Sequence, residues 1–540
     1  MNSRDTRRGS SRRSTSQRRP RQTSSYDEER RRRSRGGAGE VAGGRRLPLV
    51  VIVLLAVVAA RLVWLQVIDA PRLSARAGAM STTNVTILAK RGTIYDRNGN
   101  VLATSVECRT LYCNPSAVGD KNAAAQVLAD KLGGQASDYL PTLSQDTTFA
   151  YLKRQVDTDV ATDVISTLAS KDIEGVYTLA DVKRVYPYGA TAGQVLGFIG
   201  TDGHGLSGLE LQYDDVLSGT DGEMLVERGR DGSPVAGGAS EIHEATDGTD
   251  IVVSLDVNVQ RVAEEQLTQA MDDTEAKSGN VIVTQPGTGE ILAACSWPLF
   301  DPTDSSTLTN DALKLMSVSD SYEPGSTFKT LTMAIGYDTG TINKSSTFSV
   351  PAQVKVGDDT VTDVDGRDYT MDMTPTEIMR RSSNTGAALV GQAIGADKFA
   401  AGIAAFGIGQ KTGIDFPGES AGIVPSRDEY TGATTGAAAF GQGIAFPSIQ
   451  LVRAIGAIAN KGTLVTPHFL VQKGSEKADW GQGQQAISSE ACESVIGDLR
   501  EVVLEGTGQE AQVAGYDVVG KTGTGQQALD TGGYLDDSYL

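Results

Sequence analysis

The chain has 540 residues, 39% hydrophobic and 21% charged, a globular composition that is too long for one ordinary core and therefore predicts several domain-sized pieces. The net charge of −18 hides an asymmetry: residues 1–46 hold 15 Arg against 5 acids, a net of +10, so the remainder carries −28 and the two parts face different surroundings. Three histidines, none in metal-ligand spacing, argue against a metal site, and nothing in the pattern calls for a cofactor.

Residues 1–46 are Arg, Ser and Gly with almost no apolar side chains, so they cannot offset the entropy of ordering and are expected to be disordered. A basic tail of this kind could hold nucleic acid, but an apolar run begins directly after Arg45-Arg46, and the positive-inside rule then makes the tail cytoplasmic, with no nucleic-acid role. From Leu47 to Ile68 the only charge is Arg61. Twenty-two helical residues span about 33 Å, enough for a bilayer core of about 30 Å, so residues 47–68 are predicted to be a single transmembrane anchor. Ala75-Arg76-Ala77 resembles a signal-peptidase site, yet the run is longer than a usual signal core and sits behind a long tail, which favours the anchor. Arg61 either snorkels outward or faces a partner helix.

Next comes Arg91-Gly92-Thr93-Ile94-Tyr95-Asp96-Arg97-Asn98-Gly99, an extended piece closing on an Asn-Gly turn before strand-like Val101-Leu102-Ala103. Arg91, Asp96 and Glu210 are expected to join an interior salt-bridge network. Cys108, Cys113, Cys295 and Cys492 are too few and scattered for a disulfide framework and are read as mostly unpaired, with a Cys108–Cys113 pairing left open. A fresh domain is predicted near Gly248: a strand at 251–255, a helix at 257–271 with Gln260 and Glu264 one turn apart, and a hairpin joining Val281-Ile282-Val283 to Ile291-Leu292-Ala293. Cys295 is expected to pack rather than react.

In Tyr322-Glu323-Pro324-Gly325-Ser326-Thr327-Phe328-Lys329 a Pro-Gly turn leads into a serine followed three residues later by a lysine. The apolar spacing of Phe328, Leu331 and Ile335 predicts a helix from Ser326, and residues three apart share a face, so Lys329 stands beside the Ser326 hydroxyl as a candidate base for a candidate nucleophile. A Ser-x-x-Lys pattern is weak alone, although this is the one occurrence in the chain. It gains weight from Ser382-Ser383-Asn384 downstream and Lys521-Thr522-Gly523-Thr524 beyond that, in the order known for penicillin-recognising serine enzymes. Both later elements have decoys. Ser278-Gly279-Asn280 precedes the nucleophile, and Lys411-Thr412-Gly413 runs into a Pro-Gly turn, whereas Tyr516-Asp517-Val518-Val519-Gly520 predicts a strand that delivers Lys521 to Thr524 in extended form. Lys521 and Thr522 can bind a substrate carboxylate, and Gly523 is expected to let substrate approach closely.

These segments, with Arg184-Val185-Tyr186-Pro187, residues 203–210, Gly441-Gln442-Gly443 and Gly506-Thr507-Gly508, resemble the class B penicillin-binding proteins over residues 47–530. The resemblance implies an α/β (α+β) transpeptidase domain with a central antiparallel sheet at 246–540, preceded by a non-catalytic, elongated β-rich pedestal at 69–245. It further implies an extracytoplasmic serine D,D-transpeptidase that cross-links peptidoglycan stem peptides, is acylated by β-lactams, and works with a SEDS-type membrane glycan polymerase and other divisome proteins. In that reading Ser326 is acylated, Ser382 relays a proton, Asn384 holds Lys329 and a substrate amide, and the Ser326 and Thr524 N–H groups form the oxyanion hole. A β-lactam hydrolase or sensor on the same fold, or a catalytically weak scaffold of the cell-wall synthesis complex, would share the motifs. In the family further strands and a closing helix follow Lys-Thr-Gly, whereas 16 residues follow Thr524 here. The catalytic sheet is therefore expected to be cut short at Leu540, with the edge of 518–524 unpaired.

Overall fold

The computed structural model describes residues 46–72, 82–227, 240–357, 359–363, 366–528 and 534–539. The basic tail and Ala75-Arg76-Ala77 lie outside the described residues. Two compact units are present, 1–81 and 82–540. In the first, the helix Arg46–Val63 runs into a wider turn, Trp64–Ile68, and Leu49–Ile68 is long and apolar enough to cross a membrane. Its side chains are exposed on every face, as expected of a helix that meets hydrocarbon rather than a protein core.

The second unit begins with a three-stranded antiparallel sheet of Thr82–Ile87, Gly222–Glu227 and Ser240–His243. The long strand Val101–Cys113 pairs with Ala150–Asp157 on one side and Val176–Val185 on the other. Helices Lys121–Leu132, Ala136–Leu143 and Thr158–Ser170 close a core of Leu111, Leu128, Val164 and Leu168 with these strands. All four cysteines are free and buried, including Cys108 and Cys113. Burial pushes the Cys295 thiol up to about 12, which suits a packing role.

The pedestal and the catalytic part are fused through shared backbone. Ile94–Tyr95 pairs in parallel with Ile251–Val253, which pairs with Leu470–Lys473, so one sheet crosses the boundary expected near residue 245. A joint core of Ile94, Leu102, Leu209, Ile251, Ile449 and Phe469 lies beside it. The ion network is present in altered form. Glu210 receives Arg91 Nε at 2.6 Å and Arg184 Nε at 2.7 Å, with all three side chains almost fully buried. Asp96 does not join: its carboxylate accepts the N–H groups of Asn98 and Asn100 at 2.8 Å, so it shapes the Asn-Gly turn.

The helix Val257–Thr274 and the hairpin of Gly279–Thr284 with Ile291–Trp297 form as the sequence predicts, and Gln260 Nε2 donates to Glu264 Oε1 at 2.7 Å. The largest core surrounds the helix Lys329–Asp338, in which Lys329 through Gly336 are all buried. Helices Asn384–Ile394, Ala396–Ala405, Ser448–Ala459 and Ser489–Glu505 pack around it, which makes it the axis of the catalytic part. Glu210→Ala would leave the buried Arg184 guanidinium without its carboxylate and Arg91 with Asp214 as its remaining one. A loss of about 3–5 kcal/mol is expected, read as a lower denaturation midpoint of the detergent-solubilised chain; an unchanged midpoint would show that the network does not hold the pedestal.

Candidate active site

Ser326 stands in a tight turn, Gly325–Phe328, that leads without a break into the helix Lys329–Asp338. Gly325 has φ +54°, and a side chain there would meet the Thr524 carbonyl at 2.7 Å. The turn is also held from below: Gly325 N–H donates to Gly441 O at 3.1 Å, and Gly443 N–H to Glu323 Oε1 at 2.9 Å.

Lys329 has no solvent exposure, and its Nζ has four oxygen neighbours: Ser326 Oγ at 2.9 Å, Ser382 O at 2.7 Å, Asn384 Oδ1 at 2.7 Å and Ser382 Oγ at 3.3 Å. Burial and the nearby Lys521 drive its proton affinity well below a lysine's usual value, against an opposing pull from Asp363. A neutral amine has two hydrogens and one lone pair. In that form the carbonyl oxygens of Ser382 and Asn384 would accept the two hydrogens, which would leave the lone pair for a hydroxyl. Asn384 Nδ2 donates to Thr362 O at 3.3 Å, which fixes the amide with Oδ1 toward the lysine.

The Ser-x-Asn segment is the junction of two helices. Thr374 caps Pro375–Arg381 by accepting from Glu377 N–H, and Ser383 caps Asn384–Ile394 by accepting from Gly386 N–H at 2.9 Å. Ser382 is the hinge between them, left-handed at φ 57° and ψ 37°, a conformation that costs a non-glycine residue about 1–2 kcal/mol. Strain of that kind concentrates where a side chain must point in one direction.

Lys521 Nζ donates to Ser382 Oγ at 3.0 Å, which joins the third segment to the first two, and burial lowers its proton affinity to about 8. The predicted strand over 518–524 is not one: among the described residues the pairing starts at Gln526–Ala528, against Tyr534–Tyr539, and Tyr516 is 77% exposed. The site holds 521–524 by local contacts instead of a ladder. A side chain at Gly523 would strike Thr327 Cγ2 at 2.7 Å. Its hydrogen makes room for the serine turn. Thr507 Oγ1 lies 2.7 Å from Thr522 Oγ1, so Gly506-Thr507-Gly508 reaches the Lys-Thr-Gly segment.

The decoys are placed elsewhere. Thr412 is clamped to the Glu419 carboxylate, and three residues on Asp415 accepts Phe469 N–H at 2.7 Å, Leu470 N–H at 2.8 Å and Tyr213 O–H at 2.5 Å, so Lys411-Thr412-Gly413 belongs to the joint with the pedestal. Asn280 Oδ1 accepts from Ser448 Oγ at 3.1 Å at the start of the hairpin. Sequence reasoning missed Asp363 altogether. Its buried carboxylate accepts from Ser383 Oγ, Thr385 N–H and Thr385 Oγ1, and no motif marks it.

A family model of the penicillin binding protein transpeptidase domain matches residues 279–539, and one of the penicillin-binding protein dimerisation domain matches residues 86–253. The penicillin-binding protein PbpB of Mycobacterium tuberculosis is 34% identical over 518 residues, covering 89% of this chain and 75% of that protein. The chain belongs to the class B penicillin-binding proteins. Stage V sporulation protein D of Bacillus subtilis is 31% identical over 89% of this penicillin-binding protein and 76% of its own length. Among solved structures, penicillin binding protein 3 of Mycobacterium tuberculosis complexed with aztreonam superposes with a TM-score of 0.65 at 29% identity, over 84% of this chain and 86% of that one. The activity is that of a peptidoglycan D,D-transpeptidase. The geometry ranks its two Lys-Thr-Gly copies: Lys521→Ala is expected to cut acylation by carboxylate-bearing β-lactams by about tenfold or more, and Lys411→Ala to leave it near wild type. The reverse ranking in a labelled-penicillin assay would mean that the wrong copy had been placed at the site.

Proposed function

We propose that Ser326 is the acylated nucleophile, Lys329 its base, Ser382 the proton relay and Asn384 the anchor of Lys329 and of a substrate amide. The observation that carries this reading is the buried amine with two carbonyl oxygens on its hydrogens and Ser326 Oγ at 2.9 Å. Lys329 takes the hydroxyl proton, and the oxygen attacks the carbonyl of the penultimate residue of the stem peptide. The Ser326 and Thr524 N–H groups face the developing oxyanion. Collapse breaks the C–N bond, and the proton passes from Lys329 through Ser382 to the departing D-alanine amine. An acceptor amine then attacks the ester, its proton returns along the same path, and Ser326 is released. Lys521, Thr522, Gly523 and Thr524 line the substrate side, with Lys521 on the terminal carboxylate. β-Lactams acylate the same serine, and a long-lived adduct separates a transpeptidase from a hydrolase, which releases it quickly, and from a scaffold, which forms none.

The same proposal divides the chain into tail 1–46, anchor 47–68, pedestal 69–245 and transpeptidase part 246–540, with the N-terminus cytoplasmic and the catalytic part extracytoplasmic. The 15 Arg of the tail support that orientation. A SEDS-type glycan polymerase and other divisome proteins are the proposed partners, in the septal branch; a tagged copy confined to the lateral wall would reverse that branch assignment.

Ser326→Ala is expected to abolish covalent labelling by penicillin, and Lys329→Ala to slow it by about 10²–10⁴-fold. The second-order acylation rate should trace a bell against pH. It rises as Lys329 loses its proton and falls near pH 8 as Lys521 loses the charge that holds the carboxylate. Lys521→Arg, which stays charged, should carry the falling limb to higher pH. Labelling of Lys329→Ala at the wild-type rate would refute the assigned base.

A further inference from the structure

Asp363 directly follows the strand Asp359–Thr362, 20 residues before Ser383 and outside every motif. Its carboxylate accepts Ser383 Oγ at 2.9 Å, Thr385 N–H at 3.0 Å and Thr385 Oγ1 at 3.0 Å. Ser383 and Thr385 flank Asn384, and Ser383 follows Ser382, so one carboxylate grips both neighbours of the amide that holds Lys329. Behind it stands Arg367, its side chain 2% exposed, which donates to Asp363 Oδ2 at 2.9 Å and to the carbonyls of Val350 at 2.8 Å, Pro351 at 3.0 Å and Tyr369. The carboxylate is thereby fixed to the surrounding backbone before it touches the loop. Burial would by itself raise the Asp363 proton affinity, but the Thr385 N–H, Arg367 and the two hydroxyls hold the carboxyl below its usual range, so it is an anion at neutral pH.

We propose that Asp363, held by Arg367, is a positioning residue of the transpeptidation: it sets Ser382 and Asn384 around the Lys329 amine and supplies the negative charge that balances Lys521 at that amine. The proposal rests on Lys329 being the base. Two charged groups act on Lys329 among the described residues: Lys521 from the Lys-Thr-Gly segment, which lowers its proton affinity, and Asp363 from the hairpin, which raises it. Ser326, Ser382 and Asn384 are its neutral partners. Without Asp363 the strained turn at Ser382 loses its external brace, and Lys329 is left facing one cation with no anion.

The test is the rate of acylation by a labelled penicillin across pH, measured on the full chain. Asp363→Asn keeps the shape and removes the charge. Its rate should fall about tenfold to a hundredfold, the scale of a misplaced catalytic group. Its rising limb should also move to lower pH, because loss of an anion that favours protonated Lys329 leaves the amine neutral further into acid. Arg367→Lys keeps the Asp363 charge but cannot span the carbonyls; its rate should fall with the limb in place. An Asp363→Asn profile scaled down uniformly, limb unmoved, would reduce Asp363 to fold stability and overturn the proposal, and so would an unchanged rate. Should Asp363→Asn fail to fold, Arg367→Lys decides, since a wild-type rate there overturns it as well. Retention of the wild-type rising limb by Lys329→Ala would instead remove the base assignment and leave the Asp363 contacts a separate matter.

Discussion

A lysine amine with no access to water is the constraint from which the rest of the catalytic part follows. Burial disfavours an ammonium there and lowers the proton affinity of the amine, and its hydrogens must be met by oxygens with fixed positions. Those oxygens come from a loop about 55 residues downstream, which has to be rigid to supply them. The rigidity is built from two capped helices that meet at a left-handed serine, braced by a buried carboxylate and its arginine. A site organised this way does its electrostatic work in advance, because the environment that suits the reaction is present before substrate binds.

Close approach of backbones is the second device. At Gly325 and Gly523 the missing side chains are occupied by Thr524 and Thr327, and at Gly441 a side chain would lie 2.0 Å from the Gly325 carbonyl oxygen. Three chain segments far apart in sequence therefore touch through main chain at the Ser326 turn. Main-chain contact tolerates no rotamer change, and for that reason the serine turn needs no long strand beside it to be placed. The pedestal is joined to the catalytic part by a parallel strand pair and by Tyr213, whose hydroxyl donates to the Asp415 carboxylate while that carboxylate also accepts two backbone N–H groups.

Local chemistry was legible without coordinates wherever spacing along one element decides it. Ser326 and Lys329 share a face because of helical periodicity, the membrane span is a matter of length and hydropathy, and Gln260 meets Glu264 because both lie on one helix. The order of the three motifs carried the family, and with it the activity. Features that depend on which segments meet were settled only by the tertiary structure. Asp363 and Arg367 have no local signature, and Asp96 left the ion network for its own turn because its nearest donors are two and four residues away. The segment 518–524 reads as a strand from its β-branched residues, yet a strand exists only when a neighbour pairs with it, and alternation describes one edge and not the neighbour. The sequence by itself determined the three motifs and their order, and with them the family; the tertiary structure decided which carboxylate, carbonyl and glycine surround the motif side chains, because those contacts link residues whose separation along the chain holds no information about their separation in space.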